Sequence, residues 1–225
     1  MIILSFECTG EQIVRYDKYQ DYYFVIPELL EDERYLEFIK ESSKYKILDN
    51  GMYETGWPDA DRLISNARLI GARELVLPDY LYEREKTIRA TRQFLDNLSD
   101  DEVKEFRWMV VVQGNTINDW MRSYNETMKG FEEVIYSVGI PRCPHKEIYF
   151  RTVAVQTLHD RGELIDKPHH MLGMNDPSEL LYLNFVRSCD TGWPFKLTEH
   201  KHILRRINLL RKLAVEGYDP KEVKE

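Results

Sequence analysis

Eight short apolar runs alternate along the chain with longer amphipathic stretches, and this alternation limits the architecture more than any other feature. The runs are IILSF (2–6), YYFVIP (22–27), YKILD (45–49), ELVLPD (74–79), WMVVVQG (108–114), EVIYSVG (133–139), HHMLGM (169–174) and FVRSCD (185–190). They are rich in β-branched and aromatic residues, as strands covered on both faces must be. The segments between them read as helices: 10–20, 28–43, 58–72, 81–97, 115–130, 146–163, 176–183 and 198–214. Leu29, Leu30, Tyr35, Leu36 and Ile39 fall near helical spacing. Pro58 suits a first helical turn and Gly71 a helix stop. Asp59, Asp119 and Asp176 stand where helices begin. Eight strands interleaved with helices predict a compact (β/α)8 TIM barrel. The competing fold, a doubly wound open sheet, carries a glycine-rich phosphate turn after its first strand. SFECTGEQ offers a single glycine there, which favours the barrel.

No repeat, low-complexity tract or Pro/Gly/Ser linker interrupts the chain, so residues 1–225 are expected to form one domain. Its hydrophobic fraction is 43%, and no run approaches the roughly 20 apolar residues of a membrane span. MIILSFECTG is short for a signal peptide and lacks a basic leader. The expected location is therefore cytoplasmic, with no membrane partner. Cys8, Cys143 and Cys189 are too few and too far apart for a disulfide framework. No Cys-x-x-Cys or His-x-x-x-His spacing marks a zinc site. The net charge of −8 argues against indiscriminate nucleic-acid binding, which runs on phosphate neutralisation. One stretch departs from this: KLTEHKHILRRINLLRK (196–212) carries Lys196, Lys201, Arg205, Arg206, Arg211 and Lys212 against Glu199 alone. It is either a solvated face or a local phosphate-binding helix, about residues 198–214.

In a TIM barrel the chemistry lies at the C-terminal ends of the strands. Strand three ends in Asp49, strand four in Pro78-Asp79, strand five in Gln113-Gly114, strand six in Gly139-Ile140-Pro141, strand seven in Leu172-Gly173-Met174 and strand eight in Asp190. Asp49-Asn50-Gly51 alone is ordinary turn chemistry. Three strand-end carboxylates and one amide converging on a single rim are a candidate site. Two carboxylates at a reacting carbon can divide the work, one attacking and one moving protons. A further carboxylate, an amide and exposed glycine backbone suit a planar heterocycle with donors and acceptors.

The ordered set ILDNGMYETG, LVLPDY, VVVQGN, YSVGIP, HMLGMNDPSELL and VRSCDTGWPF resembles the tRNA-guanine transglycosylase superfamily over roughly residues 45–195. That family carries Asp-Ser-Gly-Gly-Phe-Gln after strand three, Val-Gln-Gly after strand five, Leu-Gly-x-x-x-Pro-x-(Glu/Asp)-Leu-Leu after strand seven and a nucleophilic Asp after strand eight. Here DNGMYE replaces the first motif, and the zinc motif Cys-x-Cys-x-x-Cys is absent. The chain looks more like the compact relatives, many of them in phages, that insert 7-deazaguanine derivatives into DNA. The resemblance implies a barrel without the zinc-binding subdomain, no cofactor or metal, and an infected host's cytoplasm as one possible setting. It implies Asp190 as the nucleophile at C1′ and Asp49 as the general acid/base. Asp79 and Gln113 would bond the base edge, with Gly114, Gly139, Ile140 and Gly173 as further base contacts. The implied partners are DNA presenting a single-stranded or flipped-out guanine and a free 7-deazaguanine such as preQ0 or preQ1; for so acidic a chain, either the basic C-terminal helix suffices to hold DNA or a protein partner delivers it.

Trp193, Lys196, Lys201 and Arg205 are the expected nucleic-acid contacts. Tyr53, Trp57 and Phe195 are further aromatic candidates for holding a flipped base, and Glu54 is a candidate second acid. His169 and His170 read as structural, His200 and His202 as possible phosphate contacts, and Arg187 as a partner for a barrel carboxylate or for substrate. Nothing marks Cys189 as catalytic. The alternatives are a tRNA-guanine transglycosylase or base hydrolase on the same scaffold, a non-catalytic nucleic-acid-binding relative, and an unrelated barrel enzyme acting on a small phosphorylated substrate.

Overall fold

The computed structural model describes residues 1–52, 59–142 and 150–216. All eight expected strands are present: β1 (Ile3–Phe6), β2 (Tyr23–Val25), β3 (Lys46–Leu48), β4 (Glu74–Val76), β5 (Arg107–Val111), β6 (Ile135–Ile140), β7 (His169–Met171) and β8 (Ser188–Thr191). Every pairing is parallel, in the order β1-β8-β7-β6-β5-β4-β3-β2. The sheet is a nearly closed barrel with helices interleaved. At the seam between β1 and β2, side chains meet the backbone groups that a ladder would pair. Gln20 accepts from the Phe6 amide at 2.6 Å and donates to the Phe6 carbonyl at 3.0 Å. Ser5 Oγ accepts from the Phe24 amide at 2.9 Å, and Asp21 from the Leu4 amide at 2.9 Å.

The helices are α1 (Gly10–Tyr16), α2 (Glu33–Glu41), α3 (Ala60–Ile70), α4 (Arg84–Asp96), α5 (Asp100–Glu105), α6 (Ile117–Phe131), α7 (Phe150–Asp160), α8 (Glu179–Tyr182) and α9 (His200–Glu216). The expected helix over 28–43 is divided. A 3-10 turn, Pro27–Glu31, comes first, and Asp32 then caps α2 by accepting from the Arg34 and Tyr35 amides. Asp59 caps α3, and Gly71 ends it in the left-handed conformation at φ 68°. Trp120, Tyr124, Met128 and Phe131 make the buried stripe of α6. Ile203, Ile207, Leu210 and Ala214 make that of α9. These stripes and the outward face of the sheet form the main core. Among the described residues, no helix is long and apolar enough to cross a membrane.

The inward face follows from the two-residue period of a strand. It takes Ile3, Ser5 and Glu7 from β1 and its end, Phe24 from β2, and Glu74 and Val76 from β4. Met109 and Val111 come from β5, His170 from β7, and Ser188 and Asp190 from β8. Its apolar middle is a second, smaller cluster including Tyr22, Phe24, Ile47, Val76, Met109 and Val111. Below it lies a polar floor. Glu74 is wholly buried and accepts from both terminal nitrogens of Arg187 at 2.9 Å, from Tyr45 at 2.8 Å and from Ser137. Arg187 thus takes the first of its two expected partners, a barrel carboxylate.

Candidate active site

The opposite, C-terminal mouth of the barrel opens into a cavity of about 650 Å³. Asp49, Asp79, Gln113 and Asp190 all line it, as do Glu7 and Asn50. Phe24, Ile26, Met52 and Leu172 supply apolar wall. Four strand-end side chains singled out in the sequence therefore share one cavity.

Asp190 is buried at the end of β8, with 1% of its surface exposed. Its carboxylate accepts the Gly173 amide at 3.1 and 3.0 Å and the His170 ring at 2.9 Å. Gly173 has φ +59°, a conformation that suits glycine, and this turn aims its N–H at Asp190. Met174 N donates to the Asp190 carbonyl at 2.9 Å, so the strand-seven turn clamps both ends of the residue. Burial pushes the Asp190 carboxyl up. The neighbouring Glu7 carboxyl, the Gly173 amide and the Arg151 charge pull it back.

His170 carries the polar floor's influence to Asp190. Burial pushes the ring down to about 3, with Arg187 adding to the effect, so it is neutral at pH 7. Arg187 Nε donates to Ser188 Oγ at 3.0 Å, which turns the hydroxyl proton toward His170 Nδ1 at 2.8 Å; with Nδ1 accepting, the neutral ring holds its proton on Nε2 and donates it to Asp190. A chain of donors thus runs from the Glu74–Arg187 pair through Ser188 and His170 to Asp190. Phe24 stacks on the His170 ring at 5.3 Å and 8°, which fixes the ring plane.

Asp79 accepts from Gln113 Nε2 at 2.6 Å and from Asn50 Nδ2 at 2.9 Å. Burial pushes its carboxyl up while these two amides favour the ionised form. Gln113 Oε1 accepts the Tyr82 amide at 3.0 Å, and Asn50 Nδ2 also donates to the Leu77 carbonyl at 2.8 Å. Asp79, Gln113 and Asn50 therefore form a tied acceptor–donor edge on the cavity wall. Asp49 accepts the Gly51 amide at 3.1 Å, with Gly51 at φ +67°. It makes the turn its sequence announces and also faces the cavity.

The remaining sequence candidates separate. Gly114 packs against α6, where an added Cβ would lie 2.5 Å from Trp120 backbone atoms. Gly139 faces Leu172, Met109 and Val111, and Ile140 is buried in the main core. None of these three lines the cavity; Gly173 does. Trp193 lies under the Arg206 guanidinium at 4.2 Å, and Arg206 also bonds its carbonyl at 2.8 Å. Lys196 is exposed in the turn after β8 and donates to Asn175 at 2.9 Å. Lys201 and Arg205 are exposed on α9, Lys201 being 3.1 Å from Glu199. Arg211 instead bonds the Tyr19 carbonyl and Asp21 within the fold. His169 bonds Tyr124 at 3.0 Å, His200 bonds Tyr16 at 2.7 Å and Phe195 packs on Tyr16. Tyr53, Glu54, Trp57 and Cys143 lie outside the described residues.

Sequence reasoning missed Glu7, Asn50 and the contact of His170 with Asp190. Glu7 had a signal: it continues the inward series Ile3, Ser5. It lies beside Asp190 in the cavity, and burial together with that neighbour pushes it well above the usual carboxylate range, to about 9. Among the described residues, no group of three or more His, Cys, Asp or Glu side chains could hold a metal ion. Compared with models of known families and with curated proteins, the sequence matches none.

Proposed function

We propose that this protein is a DNA-guanine transglycosylase, exchanging guanine in DNA for a free 7-deazaguanine through two displacements at C1′. The observation that carries the reading is the shared cavity of Asp190, Asp49, Asp79 and Gln113. Its volume falls in the range of small-molecule sites. Asp190 is the nucleophile: its oxygen bonds to C1′, the C1′–N9 bond breaks, and the electron pair leaves with guanine. Protonated Asp49 gives its proton to the departing base. The Asp49 carboxylate then takes the N9 proton of the incoming 7-deazaguanine, N9 bonds to C1′, and Asp190 leaves as a carboxylate. Two inversions retain the β configuration, and all protons return to their starting places. Asp79 accepts from ring N–H and amino groups, and Gln113 offers its second amide proton to a carbonyl. Lys196, Lys201 and Arg205 meet phosphates near the mouth, and a partner protein compensates for the chain's net negative charge.

The test incubates the protein with guanine-containing single- and double-stranded DNA, or with unmodified tRNA, and a panel of 7-deazaguanines including preQ0 and preQ1. Nucleosides are then read by mass spectrometry. A 7-deaza-deoxyguanosine, lost in Asp190→Ala and Asp49→Ala, is the expected product. Product from tRNA alone would move the substrate to RNA. Guanine release without replacement would make the protein a hydrolase.

A further inference from the structure

Glu7 stands on the inward face of the barrel, one residue beyond β1, and lines the cavity beside Asp190. Its amide donates to the Thr191 carbonyl at 3.1 Å, which holds the two strand ends together. Gly192 leaves the space that Glu7 fills; a Cβ there would lie 3.3 Å from Glu7 Oε2. Ser5 pairs in register with Asp190, so Glu7, two residues further along the same inward face, sets its carboxyl beside that of Asp190 in the cavity, where each acts on the other. Two carboxyls in such contact cannot both be ionised, so the pair shares one proton. Asp190 already takes N–H donors from Gly173 and His170. These favour its ionised form and leave the proton on Glu7.

We propose that Glu7 is a further catalytic residue, which donates the pair's single proton in a hydrogen bond to the Asp190 carboxylate and stabilises Asp190 as the leaving group of the second displacement. The role rests on the base-exchange reading above. In that step the Asp190 O–C1′ bond breaks and its pair returns to Asp190, the N9–C1′ bond forms, and the N9 proton goes to Asp49. The Glu7 proton stays on Glu7 throughout, and its hydrogen bond strengthens as charge returns to Asp190.

The titratable and charged groups within electrostatic reach of Glu7 are Asp190 and neutral His170 on the inward face, Arg142 beyond β6, Lys196 after β8, neighbouring Cys8, and, in the outer core, Cys189 and Tyr35. Arg142 and Lys196 favour an ionised Glu7; burial and Asp190 oppose them more strongly.

The experiment compares wild type, Glu7→Gln, which keeps an N–H donor, and Glu7→Ala, which does not. The covalent protein–DNA adduct surviving denaturation and the pH profile of exchange are both read. Glu7→Ala should accumulate about tenfold more adduct, the loss of one charge-assisted hydrogen bond. Glu7→Gln, which keeps a donor, should accumulate less adduct than Glu7→Ala and lack the alkaline decline that wild type shows as Glu7 ionises. Equal adduct in all three, or an unchanged alkaline decline in Glu7→Gln, overturns the proposal. Carbon-13 NMR of glutamate-labelled free protein supplies a readout without substrate. The signal lost in Glu7→Gln should titrate well above the usual carboxylate range and move down in Asp190→Asn. Ordinary titration overturns the shared proton. Elevated titration with neither exchange nor adduct on any nucleic acid overturns the base-exchange reading and, with it, the leaving-group role, and leaves the proton pair standing.

Discussion

Replacing His170 by phenylalanine isolates the effect of the donor chain on Asp190. The ring plane and the stack on Phe24 survive, since that contact is between ring faces at 5.3 Å. The variant removes the 2.9 Å bond to Asp190 and the acceptor for the Ser188 hydroxyl. A hydrogen bond to an ionised group contributes about 1.5–3 kcal/mol, and one pKa unit corresponds to about 1.4 kcal/mol. The acid limb of kcat/KM for base exchange should therefore rise by about 1–2 pH units, with a smaller loss on the plateau. Stability supplies a second reading. The folded protein refuses a proton at His170 until about pH 3, whereas an unfolded histidine takes one near 6.5. The unfolded state thus binds more protons between these values, and stability is lost as pH falls through that window. The Phe variant lacks this loss. In urea unfolding it should be less stable than wild type at pH 8, by about 1–3 kcal/mol for the unsatisfied hydroxyl, and the gap should narrow by pH 5. A uniform rate loss at every pH, or an equal stability deficit at both, would refute the account.

Three more outcomes follow from the geometry. Glu74→Ala leaves the partly buried Arg187 without its carboxylate and should cost up to about 3–5 kcal/mol in urea unfolding, much of it recovered when Arg187→Met is added. Gly114→Ala places a methyl 2.5 Å from the Trp120 backbone. It should lower stability by about 1–3 kcal/mol or more, measured as a drop in Tm, and leave affinity for free base unchanged in the protein that still folds. Lys201→Glu with Arg205→Glu should weaken DNA binding at low salt and reduce the slope of log K against log salt by about two, read by fluorescence anisotropy.

The eight strands were readable because each is short and covered on both faces, and every one after the first is cut off by Pro, Gly or Asp. Their ends fell within a few residues of the observed ones, and that accuracy suffices to place strand-end side chains on one rim. The segment 28–43 was harder. Pro27 and Asp32 each start a separate helical turn, and the apolar spacing runs across both. Glycines were the least readable residues. Gly173 turns its amide toward Asp190, while Gly114 exists to let α6 approach the sheet, and nothing local distinguishes the two uses.

Asp49, Asp79, Gln113 and Asp190 were found because they interrupt apolar runs. Glu7 also ends such a run, but it is followed by Cys8 and Thr9 rather than by turn residues, so only strand parity marks it. His170 needed more than parity. Its contact with Asp190 depends on the β7–β8 register, which sets His170 opposite Ser188 and so two residues short of Asp190 on the same inward face. Register is a property of the closed sheet, and no single strand encodes it. The same register lets the floor act on the mouth. Arg187 must donate to Ser188 and also pair with Glu74, so its position fixes the hydroxyl and, through it, the imidazole tautomer. A barrel whose middle is apolar thus still connects its two polar ends, along the interior edge of β7 and β8, and the connection ends on the carboxylate proposed to attack C1′.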